Sequence, residues 1–145
     1  MPRPIDNTAS ATWKGDLFSG SGEVRLDTSG AGSFAVGWKA RGEESGSTTT
    51  PEELIAAAHS TCFSMAFSNG LTKAGHTVTQ LDTSAVVTFV AGTGITKIAL
   101  KVVGQVEGID EAEFVRLAEE AKAGCPVSQA LASVPEITLD AKLAS

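Results

Sequence analysis

The sequence is short of the residues that most often mark a function. Two cysteines among 145 residues are too few for a secreted disulfide scaffold. With two histidines they would supply one zinc site at most. Glycine-rich phosphate loops, HExxH, CxxC and Walker patterns are missing; Gly20-Ser21-Gly22 and Gly92-Thr93-Gly94 read as turns. The longest apolar stretch, Leu54 to Phe67, is interrupted by His59, Ser60, Thr61 and Ser64, and it falls short of the roughly 20 residues that span a bilayer. Basic residues are scarce as well. With 11 of them against 17 acidic ones the net charge is -6, which argues against nucleic acid or an anionic membrane as partner. Met1 to Asn7 carries no apolar run of the kind a secretory leader needs, so a cytoplasmic location is expected.

What is present suffices for a core. Apolar residues make up 42% and charged ones 19%, the balance of a folded chain. The length suits one domain over residues 1–145, with residues 1–10 expected as a loose N-terminal arm. Short apolar runs at Ala11 to Gly15, Glu23 to Asp27 and Ser33 to Arg41, separated by Gly and Ser clusters, predict an antiparallel meander. A polar loop from Gly42 to Thr49 follows. Thr50 as N-cap, Pro51 at the first helical position and Glu53 in capping-box register then predict a long helix, ending near Ala74 with Gly75 as its left-handed C′ residue.

Thr77 to Val90 and Ile95 to Val106 read as a hairpin across Ala91 to Gly94. Asp110, followed three residues later by Glu113, caps a second helix with Phe114, Leu117 and Ala118 on one face and a stop at Gly124. A short third helix starts at Pro126, and alternation from Glu136 to Leu143 closes the chain as a strand. The fold class is α+β. Apolar positions lie around most of the circumference of the Pro51 helix, whereas one sheet of six or so strands covers only one side of it. An obligate homodimer is therefore expected, with the two long helices packed together.

Chemistry has few carriers. Cys62 lies in the middle of the apolar helix, where a cysteine is either a small hydrophobe or, beside a fixed cation, a reactive thiolate. Arg41, at a strand end just before the loop into the helix, is the best-placed cation. Cys125, between Gly124 and Pro126, is the expected N-cap of the third helix; on local grounds the N–H groups there make it the more ionisable thiol. His59 stands three residues before Cys62, about 60° around the helix, and is either its base or a satisfied core residue. Glu52 and Glu53 suit the helix dipole.

Two segments go beyond a generic pattern. The run Thr50-Pro51-Glu52-Glu53-Leu54-Ile55-Ala56-Ala57-Ala58-His59-Ser60-Thr61-Cys62-Phe63-Ser64-Met65-Ala66 and the run Gly124-Cys125-Pro126-Val127-Ser128-Gln129-Ala130-Leu131 closely resemble the OsmC/Ohr family of thiol peroxidases. Gly94 to Leu100 and Glu136 to Asp140 extend the resemblance over nearly the whole chain from Ala11 onward. The Pro-Glu-Glu-Leu opening, His59, the Cys-Pro-Val-Ser form and the complete lack of tyrosine are similar to the OsmC branch rather than the Ohr branch.

The resemblance implies an OsmC/Ohr-like α+β fold, an intertwined homodimer and reduction of organic hydroperoxides without metal, haem, flavin or other cofactor. It implies that Cys62 is the peroxidatic thiolate and Cys125 the resolving thiol, joined in a Cys62–Cys125 disulfide that an external dithiol, of lipoyl type or on a lipoylated protein, reduces. The family's catalytic glutamate falls on Glu52 and its arginine on Arg41. Ten helical residues set Glu52 roughly 15 Å along the axis from Cys62, so Glu52 is expected to serve the partner subunit's site. Two other classes stay open: an acyl-transfer or thioesterase enzyme using Cys62 and His59, and a non-catalytic binding dimer.

Overall fold

A computed structural model describes residues 2–144. The chain divides into two compact units, one reaching to Pro51 and one starting at Glu52.

The first unit is an antiparallel meander in the order β1-β2-β3, with β1 at Ala9–Lys14, β2 at Ser21–Leu26 and β3 at Ser33–Val36. Pairing starts at Ala9 opposite Leu26, and Thr8 accepts hydrogen bonds from the Asp27 and Thr28 N–H groups. Residues 8–10 are thus tied down, which corrects the arm expected over residues 1–10. β3 also ends five residues earlier than the strand expected through Arg41. Gly37 offers no side chain to prolong the strand, and Lys39–Glu43 forms a π-helical turn instead. Within that turn Gly42 lies against the Trp38 indole, where a Cβ would overlap the ring.

The second unit is organised around α1, Pro51–Lys73. Two acidic residues open this helix, and its end is a Schellman motif: His76 N–H donates to the Leu71 carbonyl at 3.0 Å, Gly75 N–H to that of Thr72 at 3.0 Å, and Gly75 has φ 90°. β4 (Thr77–Val90) and β5 (Gly94–Glu107) form the expected hairpin, turning through Gly92 at φ 83°. α2 (Glu111–Gly124) starts where Asp110 accepts the Glu113 N–H at 2.8 Å, α3 spans Pro126–Ala130, and β6 is Glu136–Leu143.

The strands do not form one sheet of six. They make two sheets of three, and β6 pairs with β5 in parallel, giving the order β4-β5-β6. The parallel pairing follows from the connection, because α2 and α3 fill the crossover that two parallel neighbours need.

The core belongs to the second unit. β5 turns Ile98, Leu100, Val102 and Val106 to one face, against Phe63, Phe67 and Leu71 of α1 and Phe114, Leu117, Ala118 and Ala121 of α2. Phe67 sits between Phe63 and Phe114, with ring centroids 5.6 and 5.0 Å away. Gly104 of β5 makes room for this arrangement: a Cβ there would lie 2.5 Å from the Phe114 ring. The buried positions of α1, namely Glu52, His59, Phe63, Phe67 and Leu71, form one stripe at helical spacing. Away from it Met65 is 69% exposed. Mixed α+β architecture with this element order is the fold class expected from the sequence.

Candidate functional site

α1 and the start of α3 meet at the two cysteines. Cys62 is two turns beyond the first turn of α1, on the flank of the buried stripe, and is partly buried. Cys125 closes α2, serves as the N-cap residue of α3 and is fully buried. Their sulfurs lie 2.9 Å apart across 63 residues of sequence, with the Cys125 thiol donating and both cysteines free. The α2 helix ends where it does because Gly124 and Pro126 flank Cys125: proline cannot continue the hydrogen-bond ladder but is well suited to open a new helix.

A second contact runs beside the first. His59, one turn before Cys62 on α1, places Nε2 2.7 Å from the Ser128 Oγ, and Ser128 is three residues after Cys125. Both residues are buried. The histidine therefore bonds with Ser128 rather than acting as the local base of Cys62, the role an acyl-transfer site would require. Sequence reasoning singled out His59 but missed Ser128. The signal was present in the matched spacing of His59-Ser60-Thr61-Cys62 and Cys125-Pro126-Val127-Ser128.

Electrostatics differ between the two thiols. Burial and the hydrogen bond shared with Cys125, in which Cys62 keeps its proton, push the Cys62 thiol up, against a lowering by the Val127 N–H. At Cys125 burial works in the same direction, but the Cys62 thiol, the Ser128 N–H and hydroxyl and the Val127 N–H outweigh it, so this thiol is brought down. A thiolate on Cys62 thus needs positive charge from outside this pair. Burial also lowers the pKa of His59, which keeps the imidazole neutral.

Glu52 and Arg41 are the other two expected site residues. Glu52 is buried at the start of α1, in its first turn. Arg41 lies in the π-helical turn of the first unit and is half-buried. A cavity of about 540 Å³ lined by Ser60, Thr61, Ser64, Thr83, Ser84 and Lys101, among others, includes neither cysteine. Among the described residues no group of three or more His, Cys, Asp or Glu side chains is arranged to hold a metal ion, and no helix is long and apolar enough to cross a membrane.

Comparison with known proteins shows the family. Residues 43–140 match the profile of the family described as OsmC-like protein. The chain is 47% identical to peroxiredoxin OsmC of Escherichia coli (strain K12), an alignment covering 97% of this chain and 99% of the relative, and equally similar to peroxiredoxin OsmC of Shigella flexneri. Among solved structures it is similar to an organic hydroperoxide resistance protein from Elizabethkingia anophelis, with a TM-score of 0.70 at 26% identity, covering 98% of this chain and 99% of that one. An OsmC-like protein from Mycoplasma pneumoniae shares the fold, with a TM-score of 0.74 at 14% identity over 99% of this chain and 100% of that one. With its family profile and its sequence relatives in agreement, this chain belongs to the OsmC family.

Proposed function

We propose that the chain is a cysteine-based peroxidase that reduces organic hydroperoxides to alcohols, with Cys62 as the peroxidatic and Cys125 as the resolving residue. The observation that carries this reading is the 2.9 Å approach of the two free thiols. A sulfenic acid on one of them would need little movement to become a disulfide with the other. The relatives named peroxiredoxin and the neighbour named for organic hydroperoxide resistance support the class of reaction.

The difference in burial supports this order of events. Peroxide meets the partly exposed sulfur first, so the Cys62 thiolate attacks the distal oxygen of ROOH; the O–O bond breaks, ROH leaves after protonation and Cys62 becomes a sulfenic acid. Cys125 then closes the disulfide, and an external dithiol of lipoyl type reopens it. Arg41 is proposed as the cation that offsets the raised thiol pKa and polarises the peroxide, and Glu52 as the carboxylate that orients an arginine. No prosthetic group is required by this cycle.

A homodimer is part of the proposal. Every residue of β1 is exposed in the single chain, and so are Met65 of α1 and Val86 and Val90 of β4, all of which a second copy would cover. The test is intact mass after one equivalent of cumene hydroperoxide: a loss of two hydrogens per chain that vanishes in Cys62→Ser and in Cys125→Ser supports the peroxidase. Unchanged mass with both thiols free refutes it.

A further inference from the structure

His59 and Ser128 form a buried pair that the two-cysteine chemistry leaves unused. His59 is 0% exposed, and its Nδ1 has no hydrogen-bond partner among the described residues. Orphaned buried N–H groups are rarer in folded proteins than under-satisfied acceptors. The neutral ring is therefore better placed with its proton on Nε2, where it donates to the Ser128 Oγ at 2.7 Å. That leaves the Ser128 hydroxyl hydrogen free for a further acceptor. Ser128 stands three residues after Cys125 at the opening of α3, the spacing that brings side chains to one face of a helical turn. His59 and Cys62 repeat that spacing on α1.

We propose that His59 and Ser128 are positioning residues for the resolving step: His59 Nε2–H donates to Ser128, and Ser128 turns its own hydroxyl hydrogen to Cys125 Sγ and stabilises the thiolate there. Cys62 is the sulfur oxidised by peroxide in this scheme, so the relay rests on the peroxidase reading above. The electron count closes without another reagent. A lone pair of the Cys125 thiolate forms the S–S bond as the S–O bond of the Cys62 sulfenic acid breaks. Hydroxide leaves with both electrons of that bond and takes up the proton that Cys125 released, giving water. The Cys62 sulfur is reduced and the Cys125 sulfur oxidised. Neither His59 nor Ser128 gains or loses a proton over the step.

The two half-reactions separate the relay from the reading it rests on. Full-length protein is mixed with one equivalent of cumene hydroperoxide and sampled over time, with dimedone to trap sulfenic acid and intact mass to follow the disulfide. In Ser128→Ala the Cys62 sulfenic acid forms at the wild-type rate, but the disulfide closes about tenfold more slowly, the scale of one lost hydrogen bond to a charged group. Ser128→Thr, which keeps the hydroxyl, restores the rate. His59→Gln, whose amide N–H reaches toward Ser128, closes faster than His59→Leu, and the Ser128→Ala/His59→Leu double variant is no slower than Ser128→Ala alone. Should His59→Leu fail to fold, the Ser128→Ala and Ser128→Thr pair decides the matter alone. Disulfide closure in Ser128→Ala at the wild-type rate overturns the relay while leaving the peroxidase intact. A wild-type chain that forms neither sulfenic acid nor disulfide overturns the peroxidase reading, and the relay with it.

Discussion

Cys125 lies 2.9 Å from Cys62, yet only Cys62 can be reached from outside: Cys125 is fully buried behind it. The asymmetry gives the two cysteine variants different fates. In Cys125→Ser one equivalent of hydroperoxide is still consumed, and excess oxidant drives Cys62 to the sulfinic acid because no resolving thiol intercepts it. In Cys62→Ser the remaining thiol stays reduced on the same timescale. Peptide mass spectrometry of both variants checks this; rapid oxidation of Cys125 in Cys62→Ser would reverse the assignment.

His59 predicts a pH dependence of stability. Burial holds its pKa below the ordinary value of about 6.5. Between the folded and unfolded values the unfolded chain binds a proton that the folded chain does not, so unfolding is favoured as pH falls. The stabilisation from the neutral ring is complete above about pH 6.5 and is lost as pH falls through the lower folded value. Denaturant unfolding of the wild type and His59→Gln from neutral to mildly acidic pH should show a steeper loss in the wild type. Parallel curves would contradict it.

Gly104 and Phe114 predict a packing effect of either sign of volume change. A methyl group at Gly104 would stand 2.5 Å from the Phe114 ring, so Gly104→Ala should destabilise by about 1–3 kcal/mol through overpacking. Phe114→Ala empties the space beside Phe67 and should cost about 3–5 kcal/mol. The double variant should recover part of the Gly104→Ala strain, a non-additivity measurable by urea unfolding.

The proposed role of Glu52 predicts complementation between subunits. It sits about 15 Å along α1 from Cys62, too far to contact it within one straight helix. Mixed Glu52→Ala and Cys62→Ser homodimers should regain part of the peroxidase activity on subunit exchange, since one site of the heterodimer then holds both Cys62 and an intact Glu52. Heterodimers as inactive as their parents would count against sites shared between subunits.

Asp110 gives a control remote from the thiols. Its carboxylate accepts the Glu113 N–H at 2.8 Å. Asp110→Ala should lower stability by about 1 kcal/mol, whereas Asp110→Asn, which keeps the cap, should cost less. Both should leave the rate of disulfide closure unchanged.

Local chemistry was legible in the sequence wherever a few neighbouring residues decide the outcome. The cap at Asp110, the left-handed Gly75, the turn at Gly92 and the α2 stop before Pro126 each depend on residues within one turn of each other. The same holds for β6, whose alternation from Glu136 to Leu143 gave its bounds. β3 was overextended because Gly37 and the Trp38 ring, which closes over Gly42, redirect a stretch whose composition still suits a strand. The Cys-Pro-Val-Ser run and the long helix carried the family likeness for the same local reason.

By itself, then, the sequence determined the order of the elements, most of their ends and the chemical means at hand, two thiols and a histidine one turn before the first. Only the tertiary structure decided which groups meet. The approach of Cys62 to Cys125 spans 63 residues and that of His59 to Ser128 spans 69. Both depend on a parallel β6 and on α2 crossing from β5, with Phe114 seated against Gly104. Such contacts are fixed by how the apolar faces of distant elements bury one another, and no local spacing along the chain encodes that.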